Sequence, residues 1–390
     1  TWMENPATSI TISWRTDTTV NVGVVQYAPG KSLKGSVKKA SASYSDLTTD
    51  LGISRLFRVT LKNLSSNKQY SYQVGTGNVW SKSYNFVTAD PKSRSFKFLV
   101  FGDSQSSASG NAPYSVWSTT LNNALKANPD AKFITLTGDL VDIGQSGAHW
   151  EGWLNAGAGV IDSLPLMPAL GNHETYGNVS VRRPAYFNAF IPLPQNGPEG
   201  LKNQVYSWNY GNTHLVMLDS QQDEESMYGD ILYTQKKWLD NDLAKSKATW
   251  DLAFFHKTPY PLMASRQNLK IREAFCPVFE KHNVSVVFNG HDHGVGRTFI
   301  TNNTQFMEKP SQGTVYYMNG RSGTKFYKNI GKQPFNAFFY DPQDQPNYMV
   351  VNVKDKMLTV TAYKQDGTVL DTFSIDKKKD QLIEPMAQKK

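Results

Sequence analysis

The chain has 390 residues, 39% of them hydrophobic and 19% charged, which suits a folded protein with ample core and excludes a disordered one. A single cysteine, Cys276, excludes an internal disulfide framework, and no apolar run approaches the roughly 20 residues of a membrane-spanning helix. The net charge of +8 is a mild excess without basic runs interleaved with aromatics, so no dedicated nucleic-acid partner is expected.

Residues 1–91 read as β throughout. Alternation marks 9–14, 20–27, 56–61, 69–74 and 83–88, with turn segments such as Ala28-Pro29-Gly30 between them. Short strands at this spacing predict an all-β sandwich. The block resembles a fibronectin type III-like domain, which implies that Trp14 packs in its core and that Leu64 and Tyr70 form a tyrosine corner. The polar, proline-bearing segment 89–93 is the expected linker. The chain opens Thr1-Trp2-Met3-Glu4 without an initiator Met, as a processed product would.

Over residues 95–376 strands alternate with helices, the grammar of an α/β domain. Apolar strands are expected at 96–101, 133–137, 213–219, 252–255 and 284–288, and a short one before Gly171. Helices are expected at 114–128 and about 232–244, and a β-meander at 348–375 completes a sheet edge. Residues 377–390, with Lys377-Lys378-Lys379 and Lys389-Lys390, read as a solvated charged tail. Cys276 lies in an apolar helical stretch, as an inert buried thiol would.

The predicted strands end on metal-type ligands: Asp103, Asp139, Asn172 with His173, His256, and His291 with His293. Ligands in open α/β sheets bind beyond the carboxyl ends of strands. Four of the seven histidines fall in these segments, which random scatter would rarely produce. Oxygen and imidazole donors without thiolates suit Mn, Fe or Zn, and their number exceeds the needs of one ion. Two ions sharing one carboxylate is the natural use.

In order, Gly102-Asp103, Gly138-Asp139-Leu140-Val141-Asp142, Gly171-Asn172-His173-Glu174, His256 and Gly290-His291-Asp292-His293 resemble the motifs of the calcineurin-like metallophosphoesterases. The front domain and the segment 206–214 look like the purple acid phosphatase branch. The resemblance implies a catalytic domain of two mixed sheets flanked by helices, acting on small phosphate esters. It implies that Asp139 bridges two divalent or trivalent ions, Asp103 and His293 completing one site and Asn172, His256 and His291 the other. A hydroxide between the ions would attack phosphorus in line, Asn172 and His173 would contact the substrate, and His173 would protonate the leaving oxygen.

Two positions depart from the pattern. Gln105 stands where the family often has a histidine and offers a neutral amide oxygen to the first ion. Asp142 stands where purple acid phosphatases carry a tyrosine, so no purple charge-transfer band is expected. Asp142 instead resembles the aspartate that orients the catalytic histidine in protein Ser/Thr phosphatases. Lys257 and Arg321 are the cations considered for the phosphate, with Arg321 preferred. Among the other histidines, His149 reads as a surface helix residue or one facing the cleft, His214 as a satisfied core residue and His282 as solvated. Glu174 is expected to bond its own loop, and the aromatic-rich segment 326–340 either walls the pocket or packs.

The favoured reading is a phosphomonoesterase. A phosphodiesterase or nucleotidase of the same fold is the alternative within the class, and a cell-surface binding protein with a decayed metal site the alternative outside it. The family and the missing Met imply a secreted or cell-envelope protein, bacterial in origin.

Overall fold

A computed structural model describes residues 1–107, 113–177 and 184–384. At the front, seven antiparallel strands form two sheets that share the long strand Lys38–Thr49. Its first half, Lys38 to Ala42, pairs with Gly23–Pro29, while Ser43 to Thr49 pairs with Gly52–Leu61. Val25, Phe57, Tyr70 and Phe86 are buried between them. The Tyr70 hydroxyl accepts the N–H of Ser65 at 2.9 Å, closing the corner after Leu64. Trp14 departs from expectation. It is only half-buried, stacked on Phe57 with ring centroids 5.2 Å apart, and lines a groove against Leu154 and Phe190 of the second block.

The second block contains two mixed sheets. The first runs Leu166–Pro168, Ile134–Leu136, Ser95–Phe101, Asn347–Lys354, Met357–Lys364, Val369–Asp376 and Gln381–Ile383. Its first three strands are parallel and the meander is antiparallel. The second sheet has four parallel central strands, Thr213–Met217, Trp250–Lys257, Val286–Gly290 and Val315–Asn319, with antiparallel strands at both edges. The sheets meet through aromatic side chains: Phe98 stacks on Phe133 at 4.7 Å, and its edge faces Phe254 of the other sheet at 6.4 Å. Helix Ser115–Ala127 buries Trp117 and Leu121, with Phe101 of the first sheet edge-on to Trp117. Helices Ile231–Lys245 and Leu269–Lys281 form a separate apolar cluster with Phe255 and Val287 of the second sheet.

The charged end is folded further than expected. Gln381–Ile383 pairs with Val369–Asp376, and Glu384 accepts a 2.6 Å bond from Arg297. Leu382 has an apolar surface to cover, which draws this stretch onto the sheet edge. Lys389 and Lys390 lie outside the described residues. Among the described residues no helix is long and apolar enough to cross a membrane.

The blocks share a core. Trp2 is buried against Phe133 and Tyr210, each 5.7 Å away between ring centroids, and Tyr72 donates to the carbonyl of Asp162 at 2.6 Å.

Candidate dimetal centre

Three neighbouring parallel strands of the first sheet carry the chain to Asp103, Asp139 and Asn172 at one edge. Two neighbouring parallel strands of the second deliver His256 and His291 to the same place. Each chain must turn sharply as it leaves its strand. Asp103, Asp139, His291 and His293 accordingly have φ of 52°, 52°, 78° and 55°, the left-handed region that costs a non-glycine residue about 1 kcal/mol or more. Gly171 lets two turns approach: a Cβ there would lie 2.2 Å from the main-chain nitrogen of Asp139.

The side chains converge in two overlapping groups. Ligand atoms of Asp139, His256 and His291 lie within 4.8 Å of one another, as do those of Asp103, Asp139 and His293. The Nδ1–H of His256 donates to the carbonyl of Thr137 at 2.8 Å, which turns Nε2 into the centre. Nε2 lies 3.0 Å from Asp139 Oδ2, 3.1 Å from Asn172 Oδ1 and 3.1 Å from His291 Nδ1. His293 uses Nδ1 on the carbonyl of Lys325 at 2.7 Å, which leaves its buried Nε2 3.2 Å from Asp103 Oδ1 without a hydrogen-bond partner. Gln105 donates from Nε2 to Asp139 Oδ2 at 3.0 Å, and its buried Oε1 likewise has no partner. Such converging acceptors repel one another unless positive charge sits among them. The donor set therefore fits two cations sharing Asp139.

Electrostatics point the same way. Burial opposes charge on His256, but the carboxylates of Asp139 and Asp103 outweigh it and push the ring up to about 9. Burial also works against ionised Asp139, yet His256 and His173 hold it well below the usual carboxylate range. Burial and neighbouring His256 press His291 well below the ordinary imidazole value.

Residues 96–295 match the family profile described as calcineurin-like phosphoesterase, and residues 1–88 match the N-terminal domain of purple acid phosphatase. The chain belongs to the calcineurin-like phosphoesterase family. Acid phosphatase type 7 of Mus musculus is 24% identical, the match covering 95% of this chain and 88% of that protein. Probable purple acid phosphatase 20 of Arabidopsis thaliana is 28% identical over 73% of this chain and 65% of its own length. Among solved structures, purple acid phosphatase PPD1 from yellow lupin (Lupinus luteus) seeds superposes with a TM-score of 0.77 at 18% identity, covering 96% of this chain and 73% of that one. This calcineurin-like phosphoesterase is thus a metal-dependent phosphoric ester hydrolase with a dimetal site and a purple acid phosphatase-type front domain.

Around the phosphoesterase centre, Asn172 donates from Nδ2 to the Tyr176 hydroxyl at 2.8 Å, which turns Oδ1 toward His256. His173 is half-buried, its Nε2 4.0 Å from Asp139 Oδ2. Asp142 differs from expectation. Its backbone carbonyl, not its carboxylate, meets His173 Nδ1 at 2.6 Å. The carboxylate is taken by the N–H groups of Ser106 and Ser107 at 2.8 Å and by the Tyr114 hydroxyl at 3.1 Å.

Arg321 is also corrected. Its guanidinium is buried and donates to the carbonyls of Pro342 and Gly323 at 2.9 and 2.7 Å, so it is committed to tying its own turn to the segment after Tyr340. Lys257 pairs with Glu224 at 2.6 Å. His149 is buried on helix Gly147–Ala156 against Tyr114, not on the surface. His282 is partnered by Asp240 at 2.7 Å rather than simply solvated, and His214 is satisfied by Asn209 and Asp242. Burial pushes the Cys276 thiol up to about 12 and keeps it inert.

Sequence reasoning missed Tyr176 and Lys325. Tyr176 lies four residues after Asn172 in the same turn. Lys325 lies 2.9 Å from His173 Nε2 through Nζ. It follows strand Val315–Asn319, which adjoins Val286–Gly290 in the sheet, so the strand-end rule applied once more points to its loop.

Proposed function

We propose that this phosphoesterase hydrolyses small phosphomonoesters, with Asp103, Gln105, Asp139 and His293 toward one ion and Asp139, Asn172, His256 and His291 toward the other. The observation that carries this reading is the orphaned, buried Nε2 of His293 in one donor group with Asp103 and the shared Asp139, together with the orphaned, buried Oε1 of Gln105, whose Nε2 meets Asp139. Bound there, a metal pair supplies Lewis acidity and lowers the pKa of water. Mn, Fe and Zn fit the oxygen and imidazole donors.

The protein's own groups prepare the rest. The main-chain N–H of His173 donates to Asp139 Oδ1 at 2.9 Å, and the carbonyl of Asp142 fixes the imidazole so that Nε2 faces the cleft. His173 is assigned the proton delivered to the leaving oxygen, with Asp142 positioning it through the main chain. The names of the acid phosphatase relatives favour monoesters as substrates. The organisation proposed is a front domain of residues 1–91 and a catalytic domain that runs from residue 95 through the strand Gln381–Ile383, acting in the cell envelope or outside the cell of a bacterium.

The test is metal analysis of the purified protein followed by assay with added Mn²⁺ on 4-nitrophenyl phosphate. Asn172→Ala and His173→Ala are each expected to lower kcat/KM by about 10²-fold or more. A protein that bound no metal and whose activity survived both substitutions would remove this reading.

A further inference from the structure

The cations near the centre differ in what already neutralises them. Lys257 is held by Glu224, Arg266 by the carboxylate of Asp292, and Arg321 by main-chain carbonyls. Lys325, by contrast, forms no ion pair with a carboxylate among the described residues; its Nζ donates to His173 Nε2 at 2.9 Å. It is half-buried, as is the His173 it meets. Its backbone is clamped across the site: Gly323 N–H donates to the carbonyl of Asp103 at 3.0 Å, Thr324 N–H to that of Gln105 at 2.8 Å, and His293 to the carbonyl of Lys325 itself at 2.7 Å. A rigid main chain thus presents a flexible four-carbon stem and an unmatched ammonium beside the residue assigned to the leaving oxygen.

We infer that Lys325 binds a non-bridging phosphoryl oxygen of the substrate and sets the preference for dianionic monoesters over monoanionic diesters. This rests on the phosphatase reading above. On substrate entry the ammonium exchanges His173 Nε2 for the phosphoryl oxygen, a better acceptor carrying opposite charge. The same exchange releases Nε2, which takes up a proton from solvent and then faces the ester oxygen as the acid. A diester has one negative charge fewer and one non-bridging oxygen fewer, so it gains less from the same ammonium.

The experiment compares Lys325→Gln, Lys325→Arg and Lys328→Gln in the full Mn²⁺-loaded chain. Its readouts are kcat and KM for 4-nitrophenyl phosphate and bis(4-nitrophenyl) phosphate, and inhibition by inorganic phosphate. Lys325→Gln is expected to cut the monoester-to-diester ratio of kcat/KM about tenfold or more, mainly through KM, and to weaken phosphate inhibition similarly. Lys325→Arg should restore part of both, and Lys328→Gln, exposed on the same segment, should alter neither. An equal loss on both esters, or unchanged phosphate inhibition, overturns the assignment. If the unaltered protein cleaves neither ester, the phosphatase reading fails instead. Lys325 is then judged by calorimetric titration with inorganic phosphate, where equal affinity of the unaltered and Lys325→Gln proteins overturns it.

Discussion

The carboxylate of Glu174 ties two ligand-bearing turns together. Oε2 accepts the N–H groups of Gly171 and Asp139 at 2.8 and 2.9 Å, and Oε1 those of Leu140 and Val141 at 2.8 and 3.2 Å. It serves its own loop, as the sequence suggested, and the bridging aspartate's loop as well. Burial and the charge of Asp139 push Glu174 up to about 8 in the absence of metal, while the main-chain donors pull against them. Two N–H donors on each oxygen leave no good place for a carboxyl proton, and bound cations favour the anion further. Glu174→Gln tests which side prevails. Its amide nitrogen cannot accept, so two buried N–H groups lose their partner, costing about 3 kcal/mol or more. Lower urea stability and weaker Mn²⁺ retention are expected; an unchanged midpoint would mean the native side chain is already protonated.

At the scale of elements, the segment from Asp219 to Glu225 leaves the second sheet and packs under the centre, with the Ser220 hydroxyl accepting Lys257 N–H at 2.9 Å. Asp219 and Glu225 are both buried there, and Gln204 Nε2 donates to each, at 2.9 and 3.2 Å. Burial, then repulsion from Asp219, pushes Glu225 up to about 10; burial lifts Asp219 to about 6. A carboxyl raised above its unfolded value near 4.3 holds more protons folded than unfolded. Its contribution is therefore complete below that value and is lost as pH rises toward the folded one. Between about pH 6 and 9 the native protein should lose stability by up to about 1.4 kcal/mol per pH unit through this group, and Glu225→Gln should flatten the slope. Urea unfolding of both proteins at several pH values reads the difference; parallel slopes would contradict it. Such pairs show the limit of legibility. The ligands stood out because each follows an apolar strand and a turn, a local pattern. Lys325 did not, because only the chain's crossing of the site brings it to His173. Arg321 misled because glycines flank it as they flank many anion sites, and nothing local reveals that nearby carbonyls consume its donors. Asp142 sits where the orienting role was expected, but loop donors at Ser106 and Ser107 had already claimed its carboxylate.

For the whole molecule, the centre is a cross-link between sheets. Asp103, Asp139 and Asn172 leave the first sheet, His256 and His291 the second, and only Asp139 belongs to both donor groups. The cations that the donor set fits would hold the two sheets together, where otherwise repelling acceptors meet. Binding linked to folding stabilises by about 2.7 kcal/mol at a metal concentration 100 times Kd. For a single cooperative unit of 390 residues that corresponds to roughly 3 °C in Tm. The front sandwich should follow the same transition, because Ile10, Val25 and Tyr70 belong to one apolar cluster with Phe98 and Phe254. Chelation is therefore expected to lower a single calorimetric transition by about that amount, and Mn²⁺ to restore it. Restoration should weaken toward acid pH, since His256 must give up the proton that Asp139 helps it hold. Asp139→Asn separates this linkage from nonspecific ion effects: removing the shared carboxylate weakens both groups at once, so its Tm should scarcely respond to chelator. Equal responses in the native and Asp139→Asn proteins would place the metal effect elsewhere in the molecule.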